Sequence, residues 1–332
     1  MCGITLFVNR NRLPLDPSIV QRATAALDHR GPDGIGIEVV NHIGVGHARL
    51  AIVDISGGRQ PIWNEDCTVA VVCNGEIYNH RELRNRLEAR GHTFKTNSDS
   101  EVILHLYEED AHHHFELLIG MFAYFIIDTK RDVVHIVRDR MGIKPLFIYV
   151  DRHYLFAASE VKALLQHPAI HPALDGQVIS DFLTFGYTMG QRTVFKNIDL
   201  LRPGHRLCYE GRLDSISMSQ YWQPSFPERN EYRSGDINRE AKRFLELFQK
   251  VVLDHTTGEV PTGVFMSGGI DSTAIAAILS RRTNERTKTF SLSFDDPHFD
   301  ESTYYADIVA DCELDSHIER MTVAAVEELE WA

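Results

Sequence analysis

Hydrophobic and polar residues follow two different patterns along the chain. Up to about residue 165, short runs rich in β-branched and aromatic residues predict strands at residues 4–8, 45–53, 69–73, 122–127, 133–138, 146–150 and 154–158. Helices are predicted between them. The first has Asp16 as its N-cap and Pro17 at its first position, and the third follows the capping-box pattern SDSE at 98–101. Because strands outnumber helices, this region is predicted to be an α+β sandwich.

From residue 237 the pattern changes to a regular alternation of helix and strand. A long helix over 239–255 precedes strands at 263–266 and 289–294, each of which leads into a helix, and 317–321 is a candidate third strand. This alternation is typical of a parallel sheet. Residues 167–221 form a transition, and 221–236, rich in Pro, Ser, Gly and charges, are predicted to be a linker. The final AAVEELEWA reads as the opening of a helix, so we expect the second domain to be incomplete.

Composition and charge exclude several classes of protein. The 332 residues carry 34 Lys and Arg against 47 Asp and Glu, a net charge of −13, which argues against a nucleic-acid partner. The apolar run 121–127 is far shorter than the ~20 residues that span a bilayer, and no basic region precedes the apolar N-terminus. The five cysteines show no CxxC spacing. We therefore expect a cytoplasmic protein with no membrane partner, no disulfide framework and no zinc module.

Cys2 is the first candidate for chemistry. Removal of the initiator Met would leave a thiol and a free α-amine on one residue, and an amine with a pKa near ~7.7–8.0 can serve as the base for the neighbouring nucleophile. The alternative is that Cys2 is an ordinary buried small hydrophobic residue. Position alone does not decide between the two.

Further sequence strings favour the nucleophile. MCGI is followed by HRGPDGIG at 29–36, GHARLAIVD at 46–54, NGEIYNH at 74–80, SDSEVIL at 98–104, RDRMGIKPLF at 138–147 and ASEVKALL at 158–165. Together these resemble the class II, N-terminal nucleophile glutamine amidotransferases, with the order and spacing of glutamine-hydrolysing asparagine synthetases. The resemblance implies an N-terminal nucleophile sandwich, with antiparallel sheets between helices, followed by a partial parallel-sheet ATP-pyrophosphatase domain. It implies an amidotransferase domain at 2–210, a linker at 211–236 and an incomplete synthetase domain at 237–332.

The resemblance also implies roles for particular residues. Cys2 would attack the glutamine side-chain amide, while Asn74 and the backbone N–H of Gly75 would form the oxyanion hole, with the glycine also letting the backbone approach the substrate. Arg49 would bind the α-carboxylate of glutamine through its two-pronged guanidinium. Glu76 and Asp99 would receive the α-ammonium. For Asp99, an acid favoured by the dipole at a helix start is the alternative.

The run His112, His113 and His114, with His105 nearby, raises the question of a metal site. Adjacent residues do not converge on one ion, and EEDAHHHFE resembles a solvated helix end. We therefore expect no metal there.

The string VFMSGGIDST at 264–273 places Ser and two Gly between a strand and a helix, where N–H groups and hydroxyls converge on an anion. No Lys follows the glycines, so this is not a P-loop. The string resembles the pyrophosphate loop of ATP pyrophosphatases, which implies phosphate contacts from Ser267, Gly268, Gly269, Asp271 and Ser272. Asp271 would contact Mg²⁺, and Met266 and Leu292 would border the adenine. The alternative is a strand-to-helix turn with Ser and Asp as caps.

The expected substrates are therefore glutamine, ATP and aspartate. Glutamine would be hydrolysed at Cys2, ATP would activate the aspartate side-chain carboxylate as an acyl-adenylate, and ammonia, protected in an apolar channel, would displace AMP. One alternative amidates another carboxylate, in a surface polysaccharide or a secondary metabolite. Another is a chain with glutaminase activity only, or a nucleotide-binding partner subunit. A homodimer is a further expectation.

Overall fold

In a computed structural model, residues 1–228, 236–256, 258–282, 286–296, 298 and 300–322 are described. Contacts divide the chain into a first unit, Met1–Pro227, and a second unit, Glu228–Ala332. No helix among the described residues is long and apolar enough to cross a bilayer.

The first unit consists of strands with a few helices. Its strands are β1 Gly3–Asn9, β2 Gly34–Val40, β3 Ile43–Arg49, β4 Ile62–Trp63, β5 Val69–Ile77, β6 Gly120–Asp128, β7 Val133–Arg138, β8 Phe147–Val150, β9 Tyr154–Ala158, β10 Ile198–Leu200, β11 His205–Glu210 and β12 Ser215–Gln220. Its helices are α1 Pro17–Ala25, α2 His80–Glu88, α3 Glu101–Glu109, α4 Val161–Leu164 and α5 Gly176–Phe185, with 3₁₀ turns at Asp28–Arg30 and His114–Leu117.

These strands form two six-stranded sheets in which every pair is antiparallel. Their orders are β10-β8-β9-β1-β3-β2 and β12-β11-β7-β6-β5-β4. Alternate residues of a strand face opposite sides, so Leu6 and Phe125 pack between the sheets while Phe7 packs with α1 and α4. Tyr124 faces the opposite side, under α2 and α3. The result is the predicted α+β sandwich, with helices outside two antiparallel sheets.

The second unit is a small parallel sheet with helices. Its elements are α6 Ile237–Asp254, β13 Gly263–Phe265, α7 Ile270–Ser280, β14 Lys288–Phe294, α8 Ser302–Asp311 and β15 Asp315–Met321. The strand order is β13-β14-β15, and both pairs are parallel. Val264, Ala276 and Tyr305 belong to its core. The alternation seen in the sequence thus corresponds to a parallel sheet.

The structure differs from the sequence analysis at three places. The strand expected at 45–53 ends at Arg49, where pairing with β1 and β2 stops. The transition at 167–221 contains α5 and three strands, of which β12 lies inside the expected linker because it pairs with β11 along its whole length. The capping box does not form at 98–101. The Glu101 carboxylate instead accepts hydrogen bonds from the N–H groups of Lys95 and Thr96, at 2.7 and 2.8 Å.

Candidate active site

Cys2 lies immediately before β1, near the middle of the first sheet. Leu50, the first residue after β3, donates its N–H to Cys2 Sγ at 3.4 Å, and the thiol lies 3.5 Å from the Leu50 carbonyl oxygen. Arg30 donates from Nε to the Cys2 carbonyl oxygen at 2.9 Å and pairs with Glu160 at 2.9 Å. The backbone at the start of the chain is therefore held on both sides.

Burial sets the protonation of this residue. It raises the pKa of the Cys2 thiol, against the opposing effect of the Leu50 N–H. Burial also lowers the pKa of the α-amine at Met1. At neutral pH the sulfur therefore keeps its proton and needs a base to become a nucleophile, whereas an amine in this environment loses its proton more readily than one in water.

Cys2 opens into a cavity of about 380 Å³, within the size range of small-molecule sites, about 300–1,000 Å³. Every residue that the resemblance assigned to glutamine chemistry lines it: Cys2, Arg49, Asn74, Gly75, Glu76 and Asp99. They come from four segments, namely the chain start, the end of β3, the second half of β5 and the turn before α3. The structure therefore brings this predicted set together.

Two residues of β5, Asn74 and Gly75, line the cavity with Cys2 and offer hydrogen-bond donors there. Cys73 donates its N–H to Gln60 Oε1 at 2.6 Å, and Ile77 donates its N–H to Asp99 Oδ2 at 2.7 Å. Gly75 lies between them in the strand, so its N–H points to the same edge. Asn74 is buried, and its Nδ2 has no hydrogen-bond partner among the described residues. A buried unpaired donor is costly, so this pair suits a negative oxygen that would occupy the cavity.

The structure corrects the reason given for a glycine at position 75. A Cβ built there would lie 2.1 Å from the Met121 carbonyl oxygen and 2.6 Å from Phe122 Cα, both in the backbone of β6. Gly75 and Phe122 are directly opposite in the register of the two strands. The glycine is therefore required by the close approach of β6, and its missing side chain does not make room for a substrate.

Arg49 joins the cavity to the loop that follows β3. Its guanidinium donates to the carbonyl oxygens of Ile55 at 3.0 Å, Val53 at 3.3 Å and Asp54 at 2.5 Å. A guanidinium carries five N–H donors, so Arg49 can keep these contacts and also bind a carboxylate. Burial raises the pKa of Asp99, against the opposing effect of the Ile77 N–H. Two cations, Arg49 and Lys144, thus line the cavity together with the acids Glu76 and Asp99.

The cavity is also lined by polar residues to which the sequence analysis assigned no role, among them His47, Gln60 and Lys144. Buried His47 contacts the Cys73 carbonyl oxygen through Nε2 at 3.2 Å, and burial lowers its pKa to about 4, so the ring is neutral. Lys144 is also buried, which lowers the pKa of its ammonium group, and its Nζ lies 3.4 Å from Met1 Sδ. His47 and Lys144 lie in the quoted strings GHARLAIVD and RDRMGIKPLF, which were the available signal.

Only some of the residues predicted to bind ATP line a common cavity. Met266, Ser267 and Leu292 line one open cavity at the carboxyl ends of β13 and β14, where ligands of parallel sheets bind. Gly268, Gly269, Asp271 and Ser272 do not line it.

Residues of the loop before α7 form hydrogen bonds with one another. Ser272 Oγ accepts from the Ser267 N–H at 3.2 Å, and Ser267 Oγ accepts from the Gly269 N–H at 3.3 Å. The Gly268 N–H donates to a carboxylate oxygen of Glu301 at 3.1 Å. The Gly268 N–H is therefore oriented to donate to an anionic oxygen, and a phosphate that bound it would replace Glu301. Asp271 lies in the first turn of α7.

The histidine run is less solvated than expected. His113 is exposed and pairs with Glu116 at 2.9 Å. His114 is buried beside Tyr107 and His135, and burial lowers its pKa well below the usual value. The turn His114–Leu117 folds this ring into the layer beneath α3.

Comparisons with known proteins agree with this geometry. Residues 1–222 match the family model described as a glutamine amidotransferase domain, and residues 243–330 match the one described as asparagine synthase. Asparagine synthetase [glutamine-hydrolyzing] 3 of Bacillus subtilis (strain 168) is 35% identical over 92% of this chain and 50% of its own length. Asparagine synthetase [glutamine-hydrolyzing] of Zea mays is 35% identical over 86% of this chain and 43% of its own. The chain thus spans about half the length of the curated relatives it matches.

A solved structure of the allosteric regulatory enzyme of purine biosynthesis resembles this chain with a TM-score of 0.50. The match covers 96% of this chain and 80% of the other, at 17% identity, and it concerns the fold alone.

Proposed function

The chain belongs to the glutamine amidotransferase domain family, and from that premise we propose that it hydrolyses glutamine at Cys2 and passes the ammonia to an ATP-dependent synthesis of asparagine. The observation that carries the proposal is the unpaired Nδ2 of buried Asn74 in the cavity that Cys2 opens. Aspartate as the acceptor rests on the names of the relatives.

In the proposed reaction, loss of Met1 leaves the α-amine on Cys2. The neutral amine takes the thiol proton, and the sulfur attacks the side-chain amide carbon of glutamine. The negative oxygen of the tetrahedral intermediate accepts hydrogen bonds from Asn74 Nδ2 and the Gly75 N–H. The C–N bond breaks as the amine returns the proton to the leaving nitrogen, which departs as ammonia. Water then cleaves the thioester, releasing glutamate and restoring the thiol.

The charges of the cavity match a free amino acid. Arg49 is proposed to bind the α-carboxylate, while Glu76 and Asp99 receive the α-ammonium. A substrate that lacks either charged group would lose the matching contact, which disfavours its binding.

The second unit is proposed to bind ATP and Mg²⁺. Met266 and Leu292 would border the adenine, and the loop formed by Ser267, Gly268, Gly269 and Ser272 would contact phosphates. The contact between the Gly268 N–H and the Glu301 carboxylate supports an anion at this loop. ATP supplies the adenylyl group that activates a carboxylate, and Asp271 is proposed as the Mg²⁺ contact.

The remaining expectations are also proposals. Two catalytic units are assigned to 2–210 and 237–332, with 211–236 between them. A cytoplasmic location is supported by the five cysteines, which are all free. A homodimer would be tested by light scattering.

The glutaminase proposal is tested with a diazoketone analogue of glutamine and mass spectrometry of the labelled peptides. We expect one label, on Cys2, in a chain that has lost Met1. Cys73 is an internal control, because its thiol lines the same cavity but burial strongly raises its pKa. Label on Cys73, or full glutaminase activity in Cys2→Ala, would overturn the proposal.

The synthetase half is tested by exchange of pyrophosphate into ATP. We expect exchange that depends on aspartate and is lost in Asp271→Asn. Exchange with another carboxylate but not with aspartate would contradict the proposed acceptor. Glutaminase activity with no exchange for any acid would contradict the ATP proposal and leave the glutaminase proposal intact.

A further inference from the structure

Outside the cavity, three side chains converge between the end of α2 and one face of α3. His105 and Glu108 are three residues apart on α3, and His92 follows α2 just after Gly91. Glu108 Oε2 lies 2.9 Å from His105 Nδ1 and 3.4 Å from His92 Nδ1. One donor atom from each residue lies within 4.8 Å of the others, and this is the one such group among the described residues.

The spacing suits a small divalent ion. Ligands about 2.1 Å from a tetrahedral Zn²⁺ are about 3.4 Å apart. Two of the ligand separations here, 2.9 and 3.4 Å, are close to that value. Two imidazole nitrogens and one carboxylate oxygen are also a set that binds zinc with a fourth position open to water. Binding would bring the two histidine nitrogens, which lie within 4.8 Å of each other, to a separation close to that of tetrahedral ligands.

In His92 and His105, the ring nitrogen Nε2, which is not the proposed ligand atom, lies near a second carboxylate. His92 Nε2 lies 3.7 Å from Glu109 Oε1, and His105 Nε2 lies 3.8 Å from Glu101 Oε1. The latter nitrogen is buried and has no hydrogen-bond partner among the described residues. Metal-bound histidines usually donate a hydrogen bond from the other ring nitrogen to a carboxylate, which orients the ring and makes it a stronger ligand; the carboxylates here lie 3.7 and 3.8 Å away, just beyond hydrogen-bond distance.

Glu101, one of the outer acids, and the proposed ligand Glu108 are each held by further hydrogen bonds. Glu101 accepts from Lys95 N–H and Thr96 N–H at 2.7 and 2.8 Å. The other carboxylate oxygen of Glu108, Oε1, accepts a hydrogen bond from Asn64 Nδ2 at 2.8 Å. Oε2 is therefore the oxygen that lies near the two imidazole rings. The arrangement therefore has an inner set of ligands and an outer set that holds them.

We propose that His92, His105 and Glu108 form a binding site for a divalent transition-metal ion of the zinc type, which ties the segment after α2 to α3. None of the three lines the glutamine cavity. The site is therefore separate from the proposed chemistry, although α3 begins directly after cavity residues Asp99 and Ser100.

The chain contains a matched control. His113 and Glu116 are also three residues apart, with the same 2.9 Å between Nδ1 and the carboxylate. No third ligand completes a group with them among the described residues. A histidine–glutamate pair alone should not hold the ion, so His113→Gln is expected to leave binding unchanged.

The test is titration of chelator-treated full chain with Co²⁺, followed by visible absorption, and competition with Zn²⁺. We expect one ion per chain, at least about tenfold weaker binding in His92→Gln, and wild-type binding in His113→Gln. If circular dichroism shows that His92→Gln is unfolded, Glu108→Gln replaces it, since the amide keeps the shape of the side chain. Absence of a stoichiometric site in the wild type, or equal affinity in wild type and either ligand variant, would overturn the proposal.

Discussion

Replacing Asn74 by Ala is expected to lower the rate of glutamine hydrolysis and to leave the stability of the fold almost unchanged. The Asn74 Nδ2 has no partner in the folded protein, so its loss breaks no hydrogen bond among the described residues. In the proposed reaction the same atom donates to the negative oxygen of the intermediate. Removing one oxyanion donor typically lowers kcat by ~10²–10³, equivalent to about 2.7–4 kcal/mol. We therefore expect that loss in kcat, with little change in the free energy of unfolding.

The matched control is Asn79→Ala, five residues further along. The Asn79 side chain donates from Nδ2 to the Leu117 carbonyl oxygen and accepts from the Ile119 N–H through Oδ1, both at 2.9 Å. At roughly 0.5–1.5 kcal/mol for each hydrogen bond, its loss should destabilise the fold by about 1–3 kcal/mol. Asn79 does not line the cavity. The control should therefore lose stability and keep kcat, the reverse of Asn74→Ala.

The assay follows glutamate release under saturating glutamine, with urea unfolding of both variants in parallel. Two results would refute the reasoning. One is a kcat of Asn74→Ala within threefold of wild type. The other is a loss of stability in Asn74→Ala as large as that in Asn79→Ala, because the lost activity would then reflect a disturbed cavity.

Three further predictions follow from single contacts. Arg49→Lys should lower kcat/KM for glutamine by about 10–100-fold, since Lys cannot hold the loop and a carboxylate together; glutaminase saturation curves matching wild type would contradict this. Gly75→Ala should destabilise the protein by about 2 kcal/mol or more in urea unfolding, because its Cβ would meet the backbone of β6 at 2.1 Å; a wild-type midpoint would argue against that contact. Burial lowers the pKa of His47 to about 4 from 6.5, so between those values the unfolded chain binds more protons and stability falls as the pH falls. From pH 7 to pH 4, wild type should therefore lose about 3 kcal/mol more stability than His47→Gln, and parallel pH profiles would show that the ring is not buried as a neutral group.

Much of the architecture could be predicted from local pattern. Short runs rich in β-branched and aromatic residues predicted most of the strands of the sandwich, and the succession of strands and helices predicted the parallel sheet. Asp16 and Pro17 predicted the start of α1, where the Asp16 side chain does accept a hydrogen bond from the Ser18 N–H. Local chemistry of this kind depends on neighbours in the chain, and so it can be inferred without the fold.

The strand β12 shows where local pattern fails. Its sequence, SISMSQ, is polar and mostly exposed, and the family resemblance placed it in the expected linker at 211–236. It is a strand because its backbone hydrogen bonds are completed by β11. Pairing with the preceding strand in a hairpin can thus override a weak local preference.

For the candidate site, the order of residues shows which groups are available: a cysteine behind the initiator, an asparagine and glycine in one string, and an arginine with two acids. Which of these donors remains unpaired is a property of the folded chain. The side chains of Gln60 and Asp99 accept hydrogen bonds from the N–H groups of Cys73 and Ile77, two residues before and two residues after Gly75. Neither contact follows from spacing in the sequence. Spacing in the sequence also does not predict that Lys144 lines the cavity or that His92 lies close to His105. Whether a polar group is buried, paired or free depends on distant segments packed around it, and that information appears only when the chain is folded.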